Sequence, residues 1–272
     1  MNAQAFYQGA NLGQVTLETK GAVAWVKISN VARHNAMSRT MWLELIEVIA
    51  RVQADPQLRV VVLFGDGDKS FVSGADISEF EGRAESKAAS DEYSDAVRRA
   101  ENALIDCPKP VIAMIRGLCF GGGLGLAVSC DLRYTTSDTR FRMPAARLGL
   151  GYGLNNMQHI VSAIGAPGAA DIFFTARIFN GTEAERIGLV HRAVPDQELH
   201  DLVSDTANMI AANAPLTLHA AKLAIRVVSH HEPSKDQVSE VNAAVARCGE
   251  SEDYTEGRTA FMEKRVANFK GH

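Results

Sequence analysis

Two short runs in this chain, RVVVLFG (Arg59–Gly65) and PVIAMIRG (Pro110–Gly117), are apolar at nearly every position. A strand with one wet face alternates apolar and polar residues, so an unbroken apolar run calls for cover on both faces. Helices that link parallel strands by right-handed crossovers supply such cover. A helical pattern lies between the two runs, over Asp91–Asp106, and another follows the second run after a cluster of glycines. The chain therefore reads as α/β, with a largely parallel sheet.

The flanking segments fit this frame. QVTLETK and AVAWVKIS (Gln14–Lys20, Ala22–Ser29) alternate around Gly21 and predict an antiparallel hairpin. Ser38 is placed to cap a helix through Met41, Leu45, Val48, Ile49 and Val52 that ends near Asp55-Pro56. Glu79–Ser90 is charged and rich in Ala and Ser, and DLRYTTS (Asp131–Ser137) and TRFRM read as strands. From about Gly151 the pattern turns helical, with one short strand at Val190–Val194. Thr182-Glu183-Ala184-Glu185 has the spacing of a capping box, and Ser251-Glu252-Asp253 opens the last helix. The expected division is an α/β core over residues 1–195 and a helical part over 196–272.

Composition removes several classes of function. A formal net charge of −4 with scattered Lys and Arg lacks the footprint of a nucleic-acid binder, and no basic block marks a membrane surface. No apolar run approaches the roughly 18 residues of a membrane span. The opening MNAQAFYQGANLG has neither Lys nor Arg nor an apolar core, unlike a secretory leader. Cys107, Cys119, Cys130 and Cys248 show no C-x-x-C spacing and read as free thiols of a reducing, cytoplasmic compartment. His230-His231 stand without further ligands at usable spacing, so no metal is expected.

The stretch FGGGLGLAVSCD (Phe120–Asp131) raises the functional question, since glycines before a helix bring peptide N–H groups close to an anion. A dinucleotide site needs G-x-G-x-x-G and an acidic residue closing the next strand; here Leu126 stands where the last glycine belongs. A P-loop needs G-x-x-x-x-G-K-[ST], and Gly67-Asp68-Lys69-Ser70 lacks the spacing. A second glycine turn, FVSGADI, follows the first buried strand as GGGLG follows the second. Two such turns at the carboxyl ends of neighbouring strands could aim two N–H groups at one oxygen, making an oxyanion hole. A pair of tight turns with no further role is the alternative.

SGADI, the GGG turn leading to CDL, FRMPAARLGL, FTARIFNGTEAERIGLVHRAVP and HNAMS occur in the order that resembles the crotonase, or enoyl-CoA hydratase/isomerase, superfamily of acyl-CoA enzymes. The resemblance runs from about residue 14 to the C-terminus. It implies a spiral of ββα units whose C-terminal helices build trimers, often stacked as hexamers. It also implies a thioester oxyanion hole from the N–H groups of Ala75 and Gly122, and a CoA site drawing on Arg33, His34, Ala36, Ser73, Gly74, Asp76, Ile77, Gly121, Phe261 and Lys264. No cofactor is implied beyond the coenzyme A carried by the substrate. Solvated charge is the plainer reading of Arg33 and Lys264, and core packing that of Phe261.

Two departures stand out. Hydratases of this family carry glutamates at the positions of Gly125 and Ala145, and adding water needs a base and an acid. Decarboxylation of a malonyl-type thioester reaches the same enolate by losing carbon dioxide, and a pocket without those glutamates would not repel the substrate carboxylate. LGLGYGLNNMQHI and the ending SEDYTEGRTAFMEKRVANFKGH are similar to the methylmalonyl-CoA decarboxylases of the family, although those have His at the place of Ala75. Decarboxylation is accordingly the expected chemistry, with hydration or isomerisation by substitute groups, or acyl-CoA binding without turnover, as alternatives. Tyr152 either meets the substrate or only packs its ring.

Overall fold

A computed structural model describes residues 13–76, 87–229 and 233–272. The N-terminal stretch discussed above, up to Leu12, Ile77, Glu79 to residue 86, and His230-His231 lie outside the described residues.

The chain opens with β1 (Gln14–Lys20) and β2 (Val23–Ser29), an antiparallel hairpin turning at Gly21 with φ +58°. Helix α1 (Arg39–Ala54) follows, and the Ser38 side chain accepts from the Met41 N–H at its start. Then a pattern of strand, strand, helix repeats. It runs β3 (Val60–Gly65), β4 (Ser70–Val72) and α2 (Lys87–Ile105). Next come β5 (Val111–Ile115), β6 (Leu118–Phe120) and α3 (Gly122–Val128). The last pass is β7 (Leu132–Thr136), β8 (Arg140–Arg142) and the single-turn α4 (Ala145–Leu148). Helix α5 (Leu154–Thr175), kinked at Gly165, leads to β9 (Phe179–Asn180), α6 (Gly181–Arg186) and β10 (Arg192–Val194).

Each pass adds one strand to each of two sheets. The larger has the order β1-β2-β3-β5-β7-β10 and the smaller β4-β6-β8-β9, parallel except for β1/β2 and β8/β9. This is the expected spiral of ββα units. The switch from β5 to β6 depends on Gly117, where φ is +70° and any Cβ would collide with the Lys69 carbonyl.

The central strands are covered on both faces, as their apolar runs require. Val61 and Leu63 point into the main core with Met41, Trp42, Leu45 and Phe71. Val60 and Val62 point the other way, into a second core with Trp25, Ile112 and Tyr134. Helix α7 (Asp196–Ala211) closes that second core with Leu199, Val203 and Ala207. Each such buried aliphatic side chain contributes about 1.5–3 kcal/mol by leaving water. Three further helices complete the chain: α8 (Pro215–Val228), α9 (Lys235–Glu250) and α10 (Glu252–Glu263).

Several local expectations are corrected. Strands β6 and β9 were not legible as strands, being only three and two residues long. The charged segment passes into helix earlier than expected, at Lys87. Thr182 does not cap α6; the Asn180 side chain accepts from the Glu183 N–H. A full capping box occurs instead at Ser234 and Gln237, on α9. All four cysteines are free. Among the described residues, no helix is long and apolar enough to cross a membrane.

Candidate active site

Strands β4 and β6 are parallel neighbours, with Val72 opposite Cys119. Their exit turns therefore leave the sheet side by side. Gly74 turns with φ +118°, a conformation that favours glycine, and a Cβ there would meet the Phe120 carbonyl oxygen at an ordinary contact distance of 3.5 Å. Gly123 comes nearer still, and a Cβ there would collide with the Val72 carbonyl. Bare backbone at both points lets α3 begin against the end of β4.

Among the described residues no protein acceptor meets the N–H of Gly74 or Ala75 in the first turn, or of Gly122 or Gly123 in the second; Ala75 and Gly122 are the pair, one from each turn, that the resemblance singles out. Gly122 is the first residue of its helix, where the N–H has no intrahelical partner. Ala75 forms a parallel bridge with Met37, in which Met37 donates to the Gly74 carbonyl (2.9 Å) and Asp76 donates to the Met37 carbonyl (2.9 Å). The bridge uses the groups on either side of the Ala75 N–H and none of its own donor.

The HNAMS segment supplies that bridge. His34 and Asn35 both adopt left-handed backbone, with φ 53° and 54°. Asn35 makes the turn hold. Its Oδ1 accepts from the Asn30 N–H, and its Nδ2 donates to the carbonyls of Asp66 (3.0 Å) and Ser70 (2.7 Å). Ser73 N–H then donates to the His34 carbonyl at 3.2 Å, and Arg33 pairs with the buried Asp76 at 2.6 Å. Arg33, His34, Ala36, Ser73, Gly74 and Asp76 are thus brought together. A hollow of about 350 Å³ opens beside them, lined by His34, Asn35, Asp66, Asp68 and Lys69 among others. Lys69 escaped the sequence reading because its segment was weighed only as a failed P-loop.

Two side chains support the turns from behind. The Trp42 ring edge lies 3.4 Å from where a Cβ on Gly122 would stand. Trp42 Nε1 donates to the Tyr93 hydroxyl (2.9 Å), which donates in turn to the Met37 carbonyl (3.1 Å). The chain of bonds ties α1 and α2 to the strand-like segment holding Ala75.

The neighbourhood of Gly125 overturns one expectation. A Cβ on Gly125 would overlap Oε1 of Glu101, a side chain from α2 in a residue only 5% exposed. The place of a Cβ at 125 is thus taken by a carboxyl oxygen from a neighbouring helix, a group that the reading of an emptied site did not foresee. Ala145 is buried directly after Pro144, whose ring packs 3.8 Å from the Cβ position of Gly121. Tyr152 sets its ring edge-on to Phe173, with centroids 5.1 Å apart. Burial pushes the Tyr152 hydroxyl up to about 12, helped by the charges of Glu101 and Tyr93.

Phe261 and Lys264 are not joined to this group within one chain. They sit at the end of α10, which packs on α9. Phe261 is 82% exposed, so core packing does not explain it. Lys264 ends the helix in left-handed conformation, at φ 55°.

The spiral and its two adjoining glycine turns place the chain among the crotonase-like α/β folds. The chain belongs to the enoyl-CoA hydratase/isomerase family, whose profile it matches over residues 18–272. It is 36% identical over 262 residues to the short-chain-enoyl-CoA hydratase of Clostridium acetobutylicum, covering 95% of this chain and 98% of that one. It is 28% identical over 260 residues to the methylmalonyl-CoA decarboxylase of Escherichia coli, covering 95% and 98%. A crystal structure of an enoyl-CoA hydratase/carnithine racemase from Magnetospirillum magneticum superposes with a TM-score of 0.89 at 34% identity, over 95% of this chain and 96% of that one.

Proposed function

We propose that this protein binds an acyl-CoA thioester with its carbonyl oxygen between the N–H groups of Ala75 and Gly122, and hydrates an enoyl thioester through the enolate so stabilised. The observation that carries the reading is the pair of N–H groups without protein acceptors at adjoining strand ends. Charge that develops on the thioester oxygen meets donors already oriented, so no reorganisation accompanies the reaction. The CoA portion would run past Arg33, His34, Ala36 and the Ser73–Asp76 turn, with His34 and Lys69 beside the hollow as phosphate partners. Exposed apolar side chains at Ile225, Val228, Phe261, Met262 and Val266 favour assembly of the C-terminal helices into a trimer, or a hexamer of two trimers. Phe261 and Lys264 would then meet the nucleotide of a neighbouring protomer.

Decarboxylation of a malonyl-type thioester is the second reading. It is favoured by the absence of a carboxylate side chain at positions 125 and 145, and by the similarity to a methylmalonyl-CoA decarboxylase. Tyr152 would hold the substrate carboxylate or protonate the enolate. The buried Glu101 counts against it, because a second carboxylate in the same space would be repelled.

Mass spectrometry after separate incubations with crotonyl-CoA and methylmalonyl-CoA decides between them. Water added to the first is the expected result; carbon dioxide lost from the second alone would replace hydration by decarboxylation. Turnover of neither, with binding retained, would leave an acyl-CoA binder. Gly122→Pro removes one donor at a helix position that tolerates proline, and turnover should fall by about 100- to 1000-fold with binding kept. Unchanged turnover would sink the oxyanion hole.

A further inference from the structure

The puzzle of a hydratase-family chain with glycine at position 125 has a structural answer on the neighbouring helix. Glu101 lies on α2, two turns beyond Tyr93, and its carboxylate occupies the volume into which a side chain at 125 would project from α3. Residue 125 is three positions past Gly122 on the same short helix, so that volume adjoins the proposed hole. Glycine at 125 leaves that space to Glu101: a Cβ there would stand 2.4 Å from Oε1, and the carboxylate would have to shift. A carboxylate buried between helices is costly to hold, and an apolar side chain would pack α2 against α3 without that cost.

We propose that Glu101 is the catalytic acid and base of this enzyme, reaching from α2 the place that a glutamate on α3 would otherwise serve. This rests on the hydration reading above. The Glu101 carboxylate takes a proton from water as the water oxygen bonds to the β-carbon. The π pair of the double bond shifts to join the α-carbon to the carbonyl carbon, and the carbonyl π pair moves onto the thioester oxygen, held by Ala75 and Gly122. The enolate then collapses and its α-carbon takes the proton back from the Glu101 carboxyl, which restores the carboxylate. One group serves both transfers in turn, so the absence of a carboxylate at Ala145 is no obstacle.

The test compares crotonyl-CoA hydration by the parent, Glu101→Gln, Glu101→Ala and the double variant Glu101→Ala/Gly125→Glu, with butyryl-CoA binding by calorimetry and thermal melting alongside. Glu101→Gln keeps the shape and should lose about 100- to 10,000-fold in turnover, with binding and melting close to the parent. The double variant returns a carboxylate to the vacated volume from the other helix and should recover turnover above Glu101→Ala. Parental turnover in Glu101→Gln overturns the assignment and leaves the hydration reading standing. Joint loss of turnover and binding without recovery in the double variant also overturns it, since that marks a packing role. If Glu101→Gln does not fold, the double variant decides alone, recovery supporting the proposal and its absence refuting it. A parent inert toward crotonyl-CoA ends both readings.

Discussion

Gly122 and Gly123 are neighbours under opposite constraints. A Cβ on Gly122 would touch the Trp42 ring edge at 3.4 Å, an ordinary contact, whereas one on Gly123 would run into the Val72 backbone. Gly122→Ala should therefore fold with stability near the parent and keep its N–H. Gly123→Ala should lose about 1–3 kcal/mol, because backbone must move to admit the methyl. Urea denaturation of the two variants reads the difference, and equal midpoints would contradict the close approach of α3 to β4. The glycines themselves were legible in the sequence as a turn that needs bare backbone. Which glycine bears which constraint was not, since that depends on a strand fifty residues away. Glu101 was illegible for a related reason: within AENALID it has the ordinary look of a helix-surface residue. Only the packing of α2 on α3 turns it inward.

At the scale of elements, α6 shows how a correct motif can sit at the wrong position. Thr182-Glu183-Ala184-Glu185 matches a capping box, yet the helix begins at Gly181 and Asn180 holds the Glu183 N–H at 2.9 Å. Asn180→Ala should cost about 1 kcal/mol, and Thr182→Ala only a small fraction of that. Chemical denaturation separates them, and the reverse order would restore the cap to Thr182. The shift has a tertiary cause. Phe179–Asn180 pairs with β8 as β9, and Gly181 then passes so close to Thr136 that a Cβ would collide with its carbonyl. Strand pairing and close approach set the helix start, and neither is written in the local pattern. The longer elements were legible because their signals are local: Ser38 and the apolar face of α1 lie within one segment.

Across the whole molecule, two histidines link stability to pH, His191 on the surface against β7 and His219 partly buried on α8. His191 Nδ1 accepts from the Arg133 N–H of β7 at 3.1 Å, and burial, then the Arg133 charge, lowers its pKa. Burial, followed by the Arg247 charge, does the same for His219 on α8. Both folded values lie below the ordinary 6.5, so the unfolded chain takes up more protons as pH falls through that range. Their contribution is complete above the ordinary value and is lost as pH drops toward the folded ones. Melting temperature should therefore decline between about pH 7 and about pH 5, and less steeply in His191→Gln. A flat profile in the parent would show that neither histidine is held neutral by the fold.

The fold class was determined by the sequence alone, because continuous apolar runs, hairpin alternation and helix caps act over a few residues. The glycine turns and the order of their flanking motifs likewise carried the family, since bare backbone can be demanded locally whatever surrounds it. The assignment of each strand to one of two sheets was decided by tertiary structure, through the Gly117 turn and the pairing of β4 with β6. So was the setting of the candidate site. The two glycine turns adjoin because strands whose partners lie forty-seven residues apart pair side by side, with Val72 opposite Cys119 after a shift in register. The carboxylate beside Gly125 comes from a helix that no motif singled out. A sequence shows which residues a position lacks; what fills the space instead depends on every element packed around it.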